Sequence, residues 1–230
     1  MNDAVASASP VNAAPLEPKG LLFDLDGTLL DTYDIVLASM EYTLNEVAGL
    51  GLTEAQLMAG VGTPLRDQML GFSSGDEAKA EEWLRIYREH NVAVHDAQIR
   101  AFPDTRAALE RFREAGLPMA LVTSKRHGLA VHGLEMSGIA EFFPVVIGPD
   151  DWPEHKPEPG PVRRGAELLG LSPDECLYIG DSPFDMQAGN GAGCTTVAAL
   201  WGMFPREMLE AESPDLLFES LTDLADYLGV

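Results

Sequence analysis

At 230 residues and 46% apolar content, the chain can bury a substantial core, either as one large domain or as a main domain carrying an insertion. Its formal charge of -22, from 37 acidic against 15 basic residues, repels polyanions, so nucleic acid and anionic membrane surfaces are poor partners. A small anionic ligand would need a local cluster of cations.

No apolar run approaches the roughly 18 residues of a membrane span. The start, Met1-Asn2-Asp3, carries neither the basic nor the apolar region of a signal peptide, and the expected location is the cytoplasm. Cys176 and Cys194 form no CxxC, suggest neither a disulfide framework nor a zinc site, and are expected to be buried.

Residues 1 to 17, rich in Ala, Ser, Pro and Asn, read as a flexible tail. The run Gly20-Leu21-Leu22-Phe23-Asp24 reads as a short buried strand ending in a carboxylate. From Asp31 to Phe102 the strand signal disappears. Ile35, Leu37, Ala38, Met40, Tyr42, Leu44 and Val47 recur at helical spacing, and a second long helix is expected over Asp76 to Asp96.

Short apolar strands then return at Pro118 to Val122, Val145 to Ile147, Cys176 to Ile179, Thr195 to Leu200 and Leu216 to Phe218. Helical stretches at Thr105 to Ala115, His127 to Ser137, Pro161 to Leu169, Asp185 to Ala192 and Pro205 to Ala211 separate most of them. Alternating strands and helices predict an α/β fold, a parallel sheet covered on both faces. Some seventy residues of helix interrupt it after the first strand, over the carboxyl end of the sheet, where open parallel sheets bind ligands.

Four segments stand at or just after strand ends. In Asp24-Leu25-Asp26-Gly27-Thr28 two acids leave a buried strand into a loop that Gly27 lets turn sharply; adjacent carboxylates repel, and a divalent cation relieves the repulsion. Thr123-Ser124-Lys125 offers a hydroxyl, backbone N–H groups and a cation, a phosphate cradle in outline. Lys156 lies in a loop stiffened by Pro157 and Pro159. In Gly180-Asp181-Ser182-Pro183-Phe184-Asp185 a strand again runs into an acid, and Pro183 suits the first turn of a helix that brings Asp185 near Asp181. Taken singly, each segment also has a structural explanation as a cap, a turn or a solvated side chain; it is their coincidence at successive strand ends that points to a site.

The order of these segments resembles the haloacid dehalogenase (HAD) superfamily from Gly20 to the chain's end, with Asp24-Leu25-Asp26-Gly27-Thr28-Leu29 as the most specific motif. The resemblance implies a Rossmann-like core over 18–31 and 102–230 and a type C1 helical cap over 32–101. Within the superfamily the chain looks like the phosphoglycolate phosphatase and pyrophosphatase group. It implies a Mg2+-dependent phosphatase acting on a small phosphorylated metabolite, with Asp24 as nucleophile, Asp26 as acid and base, and Thr123 and Lys156 holding the phosphoryl group.

The same resemblance implies that Asp24, Asp181 and the backbone carbonyl of Asp26 hold the metal, with Asp185 anchoring a metal-bound water or orienting Lys156. Backbone N–H groups near Leu25 and Ser124 are expected to assist. In the cap, the loop Gly60 to Arg66 is similar to the substrate-facing loop of C1 caps, which makes Thr63 and Arg66 substrate candidates, with Lys125 and Arg126 on the core side; Arg66 could equally pair with surface acids. The five histidines receive no catalytic role, and a monomer is expected.

A β-phosphoglucomutase-like phosphotransferase would use the same residues, although Thr28 follows Gly27 here where the sugar mutases commonly have valine. A dehalogenase would not need Asp26 and Asp181 together. A non-catalytic phosphoacceptor switch carries its acceptor on the third strand and has no helical insertion.

Overall fold

The computed structural model describes residues 16–230, so the tail expected over 1–17 falls outside them except for Leu16 and Glu17. Leu16 packs against the core, which moves the start of the folded chain ahead of the expected boundary; its apolar side chain is buried more cheaply than it is left in water.

Six strands form one parallel sheet in the order β3-β2-β1-β4-β5-β6, with β1 (Gly20–Phe23), β2 (Met119–Val122), β3 (Val145–Ile147), β4 (Cys176–Gly180), β5 (Thr195–Ala199) and β6 (Leu216–Phe218). All six lie within or at the expected apolar runs. The register pairs Phe23 with Leu121 on one side and Ile179 on the other, so three chain segments run out at the same level of the sheet. The order reverses at β1, which opens a crevice beyond the carboxyl ends of β1, β2 and β4.

The helices follow in chain order. Helices α1 (Tyr33–Met40), α2 (Glu54–Met58), α3 (Leu65–Phe72) and α4 (Glu77–Gln98) form the insertion; α5 (Thr105–Glu114), α6 (His127–Met136), α7 (Gly160–Leu168), α8 (Pro183–Ala192), α9 (Arg206–Glu210) and α10 (Leu221–Leu228) belong to the sheet domain. Strand residues alternate between faces: Leu21 and Phe23 join α5, α6 and α10 in one apolar cluster, while Leu22 and Tyr178 join α7 and α8 in another. Cys176 and Cys194 are free and buried, as expected.

A third cluster fills the insertion with Met40, Leu44, Leu57, Met69, Trp83 and Leu84, and it extends to Met186, Phe204 and Leu209 of the sheet domain. The helix expected from Ile35 to Val47 continues past α1 as a π-helix over Glu41–Val47, closed by Ala48 N–H donating to Thr43 O (3.1 Å). The wider turn shifts the phase of the side chains that follow, and Tyr42 and Val47 of this apolar run are exposed. Helix α10 has no counterpart among the expected elements, though Ser220 caps it by accepting from Asp223 N–H (3.0 Å).

Candidate active site

The strand ends carry the acids into the crevice. Asp24 follows β1, its amide donating to the Ile179 carbonyl (2.9 Å), and is 4% exposed. The chain then knots: the Leu25 carbonyl accepts from the amides of Thr28, Leu29 and Leu30 at 2.9–3.3 Å, and Gly27 turns at φ 82°. A Cβ at Gly27 would lie 2.1 Å from an oxygen of Asp181, and one at Gly202 would lie 2.2 Å from its Cβ. Two backbone segments thus close on Asp181, whose oxygens accept from Thr28 Oγ1 (3.2 Å) and Met203 N–H (2.7 Å).

Lys156 reaches this place from the proline-stiffened loop and is 3% exposed. Its ammonium donates to Asp24 (2.7 Å) and Asp185 (2.6 Å). Asp185 is fully engaged: one oxygen also accepts from the Tyr178 hydroxyl (2.9 Å), and the other accepts from the Ser182 amide (3.1 Å) and hydroxyl (2.6 Å) in the capping box of α8. Such a network fixes the lysine far more tightly than one ion pair does.

Burial pushes the Asp24 carboxyl up, against the pull of Lys156 and with further upward pushes from Asp185 and Asp26, to about 7. Burial, then Asp185 and Asp24, raise Asp181 well above the carboxylate range. For Lys156 burial acts downward, but Asp185 and Asp24 outweigh it and hold the ammonium above its usual value. Oxygens of Asp24, Asp181 and Asp185 lie within 4.8 Å of one another. With all three buried carboxylates ionised, one lysine would leave negative charge uncompensated, which adds to burial in raising Asp24 and Asp181, and an all-oxygen donor set suits a hard divalent cation that would relieve it in place of protons. Asp24 and Asp181 have the freer oxygens; those of Asp185 are already taken. The Asp26 carboxylate stands outside the cluster, held by Lys125 Nζ at 2.9 and 3.2 Å.

A cavity of about 330 Å³ spreads between the strand ends and the insertion, and Asp24, Asp26, Thr123, Ser124, Lys125, Thr63 and Arg66 all line it. Thr123 ends β2 at 7% exposure. The other substrate candidates are engaged with protein groups. The Ser124 hydroxyl donates to Gly62 O (2.6 Å), stitching the insertion loop to the core, and Thr63 Oγ1 donates to Gly60 O (2.7 Å). Arg66, at the start of α3, donates to Glu77 and Glu81 of α4 at 2.9 Å each; its guanidinium therefore pairs with surface acids on the neighbouring helix. Arg126 faces Asp150 at 3.5 Å.

Sequence reading missed two contributors. Tyr178 sits in an apolar strand, and its only signal is a hydroxyl that a buried strand position must satisfy. Arg88 on α4 lines the same cavity and has no carboxylate partner among the described residues. Burial, then the charge of Arg126, lowers its pKa. In a helix as charge-rich as α4, nothing in the sequence distinguishes Arg88 from its solvated neighbours.

A parallel sheet with four motif segments gathered at its carboxyl end defines a class of hydrolase, and the comparisons agree. The model of the haloacid dehalogenase-like hydrolase family matches residues 21–199, and the chain belongs to that family. Its relatives include pyrophosphatase PpaX of Oceanobacillus iheyensis, 34% identical over 209 residues covering 91% of this chain and 96% of the relative. Pyrophosphatase PpaX of Anoxybacillus flavithermus is 34% identical over 210 residues, with coverages of 91% and 96%.

Among solved structures, a hydrolase from Pseudomonas syringae superposes with a TM-score of 0.82 over 92% of this chain and 98% of its own, at 24% identity. A Lactobacillus plantarum protein provisionally assigned as a phosphoglycolate phosphatase gives 0.81 over 91% and 99%, at 25% identity. Family and relatives make the chain an enzyme of the phosphatase kind. No helix among the described residues is long and apolar enough to cross a membrane.

Proposed function

We propose that this chain is a magnesium-dependent phosphomonoester hydrolase that acts on a small phosphorylated metabolite through an aspartyl phosphate on Asp24. The observation that carries the reading is the buried arrangement of Asp24 beside Lys156 at 2.7 Å, with Asp181 alongside and the cavity in front. An Asp24 oxygen attacks phosphorus, the new P–O bond forms as the bond to the leaving oxygen breaks, and Asp26 gives that oxygen its proton. Asp26 then takes a proton from the water that attacks phosphorus and frees Asp24.

Lys156 and Thr123 hold the equatorial oxygens, and Asp185, Tyr178 and Ser182 keep Lys156 aimed. Magnesium, when bound by Asp24, Asp181 and the Asp26 carbonyl, supplies charge neutralisation that allows two anions to approach. The insertion excludes water and selects the leaving group. Arg88 and Arg126 on the cavity wall favour a leaving group with its own negative charge, in keeping with the pyrophosphatase names of the relatives.

Phosphate release from pyrophosphate, sugar phosphates and aryl phosphates, with magnesium and with EDTA, tests the reading. Asp24→Asn is expected to lower kcat by on the order of 10⁴-fold with circular dichroism unchanged. Wild-type turnover in that variant removes Asp24 as nucleophile, and interconversion of sugar phosphates without phosphate release favours the mutase. The cytoplasm and the monomeric state stand as part of the same proposal; the second is read by light scattering.

A further inference from the structure

The end of α4 carries a second cluster, one turn beyond the residues that line the cavity. Asp96 Oδ1 is shared by His95 Nδ1 at 3.0 Å and by Nε2 of His132, on α6 of the sheet domain, at 2.9 Å. The two rings are stacked with centroids 5.8 Å apart and planes 25° apart. Two imidazole nitrogens therefore converge on one point, and one ligand atom from each of the three residues lies within 4.8 Å of the others.

His95 is 4% exposed and turns Nδ1 to this point, while Nε2 on the far edge of the ring has no hydrogen-bond partner among the described residues. Asp96 and His132 are about half exposed, which leaves an entry path and room for water.

We propose that His95, Asp96 and His132 form a binding site for a borderline divalent transition cation, zinc foremost, which ties the end of the helical insertion to the sheet domain. Two imidazoles and one carboxylate select zinc, cobalt or nickel over magnesium, which prefers oxygen alone. The ion takes a place between the two rings at about 2.0–2.1 Å from each nitrogen, nearer to both than the 3.0 and 2.9 Å at which Asp96 Oδ1 now stands, and the exposed carboxylate shifts to remain a ligand while water completes the shell. The cluster shares no residue with the strand-end carboxylates, and the proposal does not depend on the phosphatase reading. The 36-residue separation of Asp96 and His132 hides the site from any search by ligand spacing.

The test is calorimetric titration of the untagged chain with zinc in saturating magnesium, repeated with cobalt by visible absorption. One zinc per chain is expected, at micromolar affinity. His132→Ala and Asp96→Asn, both at exposed positions, should each weaken it by at least about ten-fold and abolish the cobalt bands with circular dichroism unchanged, while Asp181→Asn leaves zinc binding in place. No stoichiometric uptake by the wild type, full-strength uptake by His132→Ala, or loss of uptake in Asp181→Asn overturns the proposal.

Discussion

Lys156 and Arg66 each hold two carboxylates at hydrogen-bond distance, yet they belong to different physical regimes. The Lys156 side chain is 2% exposed and its partners 6% and 0%, so its charges interact where little water screens them, and removing one leaves the others stranded. The Arg66 side chain is 44% exposed and its partners more so; such surface pairs contribute about 0–1 kcal/mol. The same kind of contact thus goes with large pKa shifts at the strand ends and with little stability on the insertion. Burial decides which ion pairs matter.

Breaking the buried set gives the largest expected effect after loss of Asp24 itself. Lys156→Met should cost about 3–5 kcal/mol of stability at neutral pH, measured by urea denaturation, and phosphate release should fall with it. If the variant is as stable as the wild type, Asp24 and Asp185 are not stranded charges.

Metal removal probes the same site through pH. The Asp24 carboxyl of the metal-free chain is raised to about 7 from an ordinary value near 4, so the folded state holds a proton that the unfolded state has lost. Its contribution to stability is present below about pH 4 and fades as pH rises through 7. The Tm of EDTA-treated protein should accordingly fall between pH 5 and 8, and magnesium should flatten that slope by favouring the ionised carboxylates. A Tm that rises with pH over this window contradicts the assigned direction.

A smaller effect sharpens the contrast within the insertion. Arg88→Gln should raise KM about ten-fold for pyrophosphate, equivalent to about 1.4 kcal/mol, and leave KM for an aryl phosphate with an uncharged leaving group unchanged. An equal change for both substrates would assign Arg88 a structural role instead. Smallest of all, Arg66→Gln should shift stability by less than about 1 kcal/mol and kcat/KM by less than two-fold; a larger loss of activity would return Arg66 to the substrate-facing role that its position in the loop suggests.

What the sequence discloses follows the same division. Asp24, Thr123, Lys156 and Asp181 are legible because apolar runs or proline-flanked loops isolate them, and the parallel sheet follows from the alternation of those runs with helical spacing. For Arg66 the sequence leaves a substrate-facing role and a pairing with surface acids both open; the structure shows the pairing, and the sequence cannot choose because Glu77 and Glu81 come from the next helix and the packing of α3 on α4 has no signature in either helix alone. Helix α10 is a different case: Leu221, Leu224, Ala225 and Leu228 stand at helical spacing behind a capping Ser220, so its signal is present in the sequence although the expected elements do not include it.

The glycines around Asp181 set limits on what the protein can become. Any side chain at Gly27 or Gly202 would strike that carboxylate, and Gly62, at φ 102°, meets Ser182 as closely as 2.8 Å from where a Cβ would stand. In a saturation library these positions should tolerate almost nothing, while Leu65 and Arg88, which also line the cavity, are expected to tolerate more. Selection for new substrates can therefore act on side chains that line the cavity away from these glycines, with the close packing around Asp181 held constant.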